Sequence, residues 1–161
     1  MQPTFSFDYF GSTIEATSRG SDFIPNSLSI LSAHCVPFTD DRKIVAVDIV
    51  GRGIDIPGGH LEDNESAIDA LRREIKEEAE ITIDTPILVD VWQLSSNNEQ
   101  LGLSTKPYLL LYSATILSIG EFTPSAEVTK RLILSPEDFI ANYFGDKGQA
   151  RILVNKALAM K

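Results

Sequence analysis

A dense run of glycine and proline separates the most continuous apolar stretch of this chain from its strongest helix pattern. Five such residues fall within nine positions: Gly51, Gly53, Pro57, Gly58 and Gly59. This density predicts a loop of defined shape rather than a plain connection. Lys43–Val50, just before it, is β-branched and nearly continuous, which is typical of a strand buried on both faces. A buried strand, a shaped loop and a helix must therefore follow one another closely.

The helix pattern covers Asn64–Ala79. At about 100° per residue, an apolar face collects four residues: Ile68, Leu71, Ile75 and Ala79. A face of mixed charge lies opposite and holds Asp69, Arg72, Lys76 and Glu80, with Arg73 close by. Because Asp69–Arg73 and Lys76–Glu80 are i,i+4 pairs, we interpret this second face as the one in contact with water.

Three glutamates belong to neither face: Glu74, Glu77 and Glu78. They share the sector between the two faces, where their like charges repel one another. A hard divalent cation such as Mg²⁺ or Mn²⁺ takes oxygen ligands and would supply the missing positive charge. A glutamate-rich helix is more commonly a solvated face. Here the three lie off the water face, and the helix follows the glycine-rich loop, so we predict a metal site.

Strand patterns dominate the rest of the chain. The predicted strands are a hairpin over Thr4–Ser18, then Ser27–Phe38, Ile81–Leu94, Pro107–Ile119 and Val128–Leu134. A short helix is expected to begin at Ser135 as N-cap with Pro136 in its first turn and to run to about Tyr143, and a last helix covers Gln149–Met160. Helices interspersed among strands favour a mixed sheet covered by helices, an α/β or α+β domain.

The length of 161 residues predicts a single domain over 1–161. The net charge is −9, which disfavours a partner that is a nucleic acid polymer. One cysteine, Cys35, excludes an intramolecular disulfide and a cysteine-rich zinc site, and we expect it in the core. We find no leader pattern and no apolar stretch long enough to span a bilayer, so we expect a cytoplasmic protein without a membrane partner.

The stretch Gly59–Ile81, GHLEDNESAIDALRREIKEEAEI, resembles the Nudix box, G-x5-E-x7-R-E-U-x-E-E-x-G-U, in which U is a bulky aliphatic residue. Identity and spacing agree at Gly59, Glu65, Arg73, Glu74, Glu77 and Glu78. Ile75 and Ile81 fill aliphatic positions, whereas Glu80 stands where the family has glycine. By this motif, the chain resembles the Nudix hydrolases.

The resemblance implies an α/β/α sandwich with a mixed sheet. It also implies a metal-dependent hydrolase that cleaves a pyrophosphate linkage in a nucleoside diphosphate joined to another moiety, by attack of a metal-activated water on phosphorus. Its ligands for Mg²⁺, or for Mn²⁺, would be Glu74, Glu77 and Glu78. The partner would be a small nucleotide, and a homodimer is compatible with the family. A non-catalytic nucleotide-binding sensor is the alternative, although a sensor has no need of all three helix carboxylates.

Other roles follow from the same resemblance. Glu65 would join the metal ligands or hold Arg73, and Arg73 would orient carboxylates through a bidentate contact. Gly58 and Gly59 would meet the substrate through their backbone. Apart from the resemblance, Arg52 precedes the glycine-rich loop, so it could reach a phosphate, and an arginine at the surface is the alternative.

The catalytic base is an open choice. Glu127, just before the Val128–Leu134 strand, is the first candidate outside the box, Glu121 is the second, and a box glutamate is the third.

The remaining candidates come from residue type alone. Trp92, Tyr108 and Phe122 could stack a nucleobase, although aromatic residues in strands are usually core. His60 is expected to be a packed loop residue. For the helix end we favour a helix that runs on through Glu80 and turns at Ile81 or Thr82, because Glu80 pairs with Lys76 like a helical residue.

Overall fold

Residues 2–161 of the computed structural model form ten strands and three α-helices. The strands are β1 (Thr4–Tyr9), β2 (Ser12–Ser18), β3 (Ile30–Phe38), β4 (Ile44–Ile49), β5 (Gly53–Asp55), β6 (Gly58–His60), β7 (Ile81–Ile83), β8 (Ile87–Ser95), β9 (Tyr108–Ile119) and β10 (Val128–Leu134). The helices are α1 (Ala67–Ala79), α2 (Pro136–Asn142) and α3 (Lys147–Leu158). None of the helices in this described part is long and apolar enough to cross a membrane.

Seven strands form the main path of one sheet, in the order β1-β2-β8-β9-β3-β4-β10. β3 and β9 are parallel and their other neighbours are antiparallel, so the sheet is mixed. Helix α1 packs against β3, β4, β6 and β7, whereas α2 and α3 pack against β4, β8, β9 and β10. The predicted mixed-sheet α+β fold with helices on two faces is confirmed.

The surroundings of strand β4 explain why apolar and polar residues do not alternate in Lys43–Val50. Ile44 and Ala46 belong to the core under α2 and α3, whereas Val45 and Val47 belong to the core under α1. Successive side chains of a strand point to opposite faces, so a strand between two helical layers must be apolar at every position. The two cores therefore fix this strand in one register.

The sheet splits between β3 and β4. These strands pair only at Phe38 and Ile44 and then diverge. The glycine-rich segment fills the gap, because β5 pairs with β4 and β6 pairs with β3. The expected shaped loop is thus two short strands that cover both open edges and lead directly toward α1.

Several element boundaries differ from the prediction. Helix α1 begins at Ala67, because Asn64 has a positive φ of 64° and the Ser66 hydroxyl caps the helix by accepting the amide of Asp69. The stretch predicted as one strand over Ile81–Leu94 is two strands, β7 and β8. The turn of the N-terminal hairpin is at Phe10 and Gly11.

Helix α1 ends at Ala79, so the expectation that the helix would continue through Glu80 is wrong. Glu80 is left-handed, with φ 52° and ψ 44°, and still forms the ion pair with Lys76 at 3.0 Å. Ile81 is buried and pairs at once with Ile119, and the amide of Gly120 donates to the Glu80 carbonyl at 2.7 Å. Strand pairing immediately after the helix therefore requires the abrupt turn.

The left-handed backbone predicts that Glu80→Gly stabilises the protein by roughly 1 kcal/mol, because glycine adopts this conformation without the Cβ penalty. Glu80→Ala is the matched control, since it removes the same ion pair and keeps the Cβ. Denaturant unfolding should show the glycine variant clearly above the alanine variant. Equal stabilities would mean that Glu80 carries no backbone strain.

Candidate active site

A cavity of about 560 Å³ opens where β3 and β4 diverge. One end is bordered by acidic residues of α1 and of the segment before β10, namely Glu74, Glu78 and Glu127. The glycine-rich segment and the N-terminal hairpin also border this cavity. The box helix and the first strand of the chain therefore face the same space.

The predicted acidic residues meet at the first end. A second cavity of about 320 Å³ adjoins it and is lined by Glu74, Glu77, Glu78 and Glu127. The Glu77 side chain is 61% exposed, whereas Glu74 is largely covered. Glu121, the second candidate for the base, borders neither of these two cavities.

The Arg73 guanidinium is the centre of a polar network. Its Nε and Nη2 donate to both oxygens of Glu65, at 2.8 and 2.9 Å, and its Nη1 donates to Glu74 at 2.8 Å. Nη2 also donates to the His60 carbonyl at 3.1 Å. Arg73 pairs with Glu65 and Glu74 rather than with Asp69, the partner expected from helical spacing. The guanidinium thus ties the loop before α1 to the glutamates of the helix.

This network also sets the charge of Glu65. Hydrogen bonds from Arg73, together with the Glu62 amide, lower the pKa of the Glu65 carboxyl to about 2. Glu65 is therefore an ionised partner that orients Arg73.

Two glycines pack where no side chain fits. Gly58 has a φ of 151°, and a Cβ there would lie 2.3 Å from the Ala33 carbonyl oxygen. A Cβ on Gly59 would lie 2.5 Å from the Glu74 carboxyl carbon. The Gly58 amide donates to Glu78 at 3.1 Å. The missing side chain of Gly58 therefore lets β6 pack on β3, and that of Gly59 lets the backbone approach the Glu74 carboxylate.

The Glu78 carboxyl carries a strongly shifted pKa. Burial raises it to about 8, the Gly58 amide partly opposes this rise, and the negative charges of Glu74 and Asp55 add to it. A carboxylate that is buried beside other carboxylates lacks a compensating positive charge. Glu78 therefore lies where a cation would be stabilised.

The oxygen donors of these carboxylates are suited to a divalent cation, since hard cations take oxygen ligands. Within residues 2–161, however, no group of three or more His, Cys, Asp or Glu side chains is arranged closely enough to hold a metal ion. Glu74 is engaged by Arg73 and Glu77 extends into solvent. The donors are thus at one place without forming a closed ligand cage.

Arg52 lies midway along the cavity. Its Nη1 donates to Asp55 at 3.0 Å, and its guanidinium is 5.1 Å from the Tyr9 ring centroid and 5.8 Å from that of Phe144. Its Nε is buried without a hydrogen-bond partner. Burial raises the pKa of Asp55, against the effect of Arg52. Arg52 therefore presents unused donor capacity inside a largely covered site.

His34 of β3 also borders the cavity, and sequence reasoning missed it. Burial, followed by the positive charge of Arg52, lowers the pKa of His34 to about 3, so the imidazole is neutral. Asp55 and Tyr9 were missed as well. The alternation Phe5, Phe7 and Tyr9 was visible in the sequence, but nothing local indicated that it faced the glutamates.

The remaining candidates differ in whether they border the cavity. Trp92 borders the cavity, whereas Tyr108 packs on Phe23 and Phe122 lies under Arg131. His60 is exposed, and Cys35 is fully buried with its thiol pKa raised by burial.

Comparison with known proteins follows this geometry. The chain matches the family model of the NUDIX domain over residues 29–154. A search of curated proteins finds none that matches the chain. The structure resembles the pyrophosphohydrolase BsRppH of Bacillus subtilis, with a TM-score of 0.70, 19% identity and 97% of each chain covered. It also resembles an ADP-ribose pyrophosphatase of Streptococcus suis, with a TM-score of 0.62, 22% identity, and 83% of this chain and 92% of that one covered.

A NUDIX hydrolase of Nitrosomonas europaea gives a TM-score of 0.60 at 22% identity, with 81% of this chain and 88% of that one covered. At these identities the structural likeness concerns the fold. The family model itself extends over most of the chain and includes the motif around Arg73. The chain therefore belongs to the NUDIX domain family, and with it to the hydrolases that act on phosphoric anhydrides.

Proposed function

We propose that this protein is a metal-dependent hydrolase of the pyrophosphate linkage in a nucleoside diphosphate joined to another moiety. The observation that carries the proposal is one cavity that is lined both by the carboxylates Glu74, Glu78 and Glu127 and by apolar residues of the N-terminal hairpin. A substrate with a charged diphosphate and a less polar remainder fits such a polarised site. The family supplies the class of reaction, and the cavity supplies its location in this chain.

Glu74, Glu77 and Glu78 would hold the cation, which we propose to be Mg²⁺ with Mn²⁺ as a substitute. The bound cation would supply positive charge against the phosphate oxygens and make an attacking water more acidic. Arg73 would keep Glu74 in place through their 2.8 Å contact. Because Arg73 is already bound to Glu65 and to the His60 carbonyl, it would act as a positioning residue and not touch the substrate.

The other proposed roles depend on where side chains border the cavity. Arg52 would donate to a phosphate oxygen, since its Nε has no other partner. The backbone of Gly58 and Gly59 would line the path of the diphosphate. Glu127 would remove the proton from the attacking water, because it borders the same two cavities as Glu74 and Glu78.

Two coarser expectations remain proposals as well. The whole chain would act as a single domain, with a small nucleotide as partner. A nucleotide-binding sensor without turnover is the competing function. A panel of ADP-ribose, UDP-glucose, diadenosine tetraphosphate and nucleoside triphosphates, assayed with Mg²⁺ for released phosphate-containing products, decides between them. Turnover of none of these compounds would favour the sensor.

Removal of the Glu78 charge tests the metal assignment. Glu78→Gln should abolish Mg²⁺-dependent turnover. In EDTA above pH 8, where the Glu78 carboxyl is ionised, the same variant should be more stable than the unaltered protein by roughly 0.2–0.5 kcal/mol, because repulsion from Glu74 is relieved. Thermal unfolding and steady-state assays measure the two effects.

The matched control for that experiment is Asp69→Asn, which removes one negative charge from the outer face of the same helix. Its activity should stay at the level of the unaltered protein. Full Mg²⁺-dependent activity in Glu78→Gln would refute the proposed ligand role.

The proposed base is tested by Glu127→Gln, which should lower kcat by about 10²–10⁴ with little change in KM. Glu121→Gln is the control, because Glu121 is a neighbouring loop carboxylate that borders neither cavity. Reversed behaviour of the two variants would move the role to Glu121. Normal kcat in both would assign it to a glutamate of α1.

A further inference from the structure

The N-terminal hairpin presents an aromatic face to the cavity. Strand β1 alternates, so that Phe5, Phe7 and Tyr9 are half-buried and pack against the core under α2 and α3, while Ser6 and Asp8 are exposed. Of the three rings, Phe7 and Tyr9 border the cavity. β1 is the terminal strand of the sheet path and pairs with β2 alone. The hairpin also lies outside residues 29–154, which match the family model. Its aromatic face is therefore not part of the motif that identifies the family.

The base of the hairpin is firmly attached. Asp90 on β8 is 1% exposed and accepts hydrogen bonds from the Ser18 hydroxyl at 2.8 Å and the Gly20 amide at 2.9 Å. The Lys156 ammonium of α3 neutralises it at 3.0 Å. A buried carboxylate with this many partners fixes the direction in which the hairpin leaves the sheet.

The tip of the hairpin crosses the cavity. Phe10 has a positive φ of 48°, which is unusual for a bulky residue, and its ring would lie 3.0 Å from a Cβ on Gly51. Gly51 follows β4, on the far side of the cavity from β8. The hairpin therefore runs from β8 toward the end of β4, and its residues Phe7 and Tyr9 border the cavity.

The part of the cavity beside the hairpin offers aromatic rings, apolar side chains and the Arg52–Asp55 ion pair. Tyr9 and Phe144 flank the Arg52 guanidinium, and Phe7 lies 6.1 Å from Phe144 between ring centroids. Leucines 94, 101, 103, 109 and 111 form the apolar remainder of this end. A sugar would leave several hydroxyls without partners there, whereas a flat heteroaromatic ring can stack.

We propose that the inner face of this hairpin binds the planar base of the nucleotide substrate, with Tyr9 and Phe7 as specificity-determining residues. This inference rests on the proposed function for its nucleotide ligand. The cavity supports it, since its 560 Å³ extends without interruption from the hairpin to the carboxylates of α1. The phosphates would lie beside the carboxylates of α1 and Arg52, and the base would lie against Phe7 and Tyr9.

The test measures binding of the base without turnover. Trp92 is the single tryptophan, borders the cavity and lies 4.6 Å from Phe5 between ring centroids, so its fluorescence reports on this end. Adenosine, guanosine, uridine and ribose are titrated in EDTA. At least one nucleoside should bind about tenfold or more tightly than ribose. Ribose binding as tightly as every nucleoside, or saturable binding of none, would overturn the proposal.

Variants then locate the contact. Tyr9→Leu should weaken nucleoside binding about tenfold, because it keeps an apolar side chain and removes the ring. Tyr9→Phe should retain the affinity, and Ser6→Ala, on the outer face of the same strand, is the control for the hairpin itself. Unchanged affinity in Tyr9→Leu would contradict the proposal. Loss of affinity in Tyr9→Phe and Ser6→Ala as well would assign the effect to hairpin stability, and so would also contradict it.

The two proposals can fail separately. Ring-dependent nucleoside binding without any Mg²⁺-dependent hydrolysis would leave the hairpin site standing and remove the proposed function. Hydrolysis of a nucleotide whose KM is unchanged in Tyr9→Leu would support the function and remove the hairpin site.

Discussion

The Arg73 guanidinium compensates the negative charge of the glutamates that border the cavity, and their arrangement depends on its contacts. Arg73 contacts Glu65 with two hydrogen bonds and Glu74 with a third, and it reaches the carbonyl before the helix as well. Without it, carboxylates in a partly covered site would face only one another. The same contacts fasten the loop to α1, so charge compensation and loop position come from a single side chain. Glu78, which Arg73 does not contact, is a carboxyl whose pKa burial raises to about 8.

Prediction from the sequence succeeded where neighbouring residues determine the structure, or where burial produces a recognisable pattern of apolar residues. The spacing on one helix was enough to group Glu74, Glu77 and Glu78, and the uninterrupted apolar run of β4 was enough to predict burial on both faces. It failed at Glu80 because an ion pair with Lys76 is compatible with either a helical or a left-handed residue. The deciding contact was the pairing of Ile81 with Ile119, which no local pattern reveals.

The residues that border the cavity beside the N-terminal hairpin could not be predicted from the sequence, for a related reason. Tyr9, Arg52 and Phe144 meet at one point although they are distant in the chain. The alternation of β1 predicted a half-buried strand, but it could not tell what the inward face would meet. His34 and Asp55 gave no signal either, since their perturbed pKa values arise from enclosure by elements that lie apart in sequence.

The divergence of β3 and β4 has a mechanical consequence. Opening a sheet leaves backbone donors and acceptors that need partners, and here β5 and β6 satisfy both edges. The segment that borders the cavity thus also joins the two halves of the sheet through hydrogen bonds. Large displacement of this segment would cost hydrogen bonds on both sides at once. Ligand specificity would then depend on the side chains that border a rigid cavity entrance, and not on a loop that closes over the bound ligand.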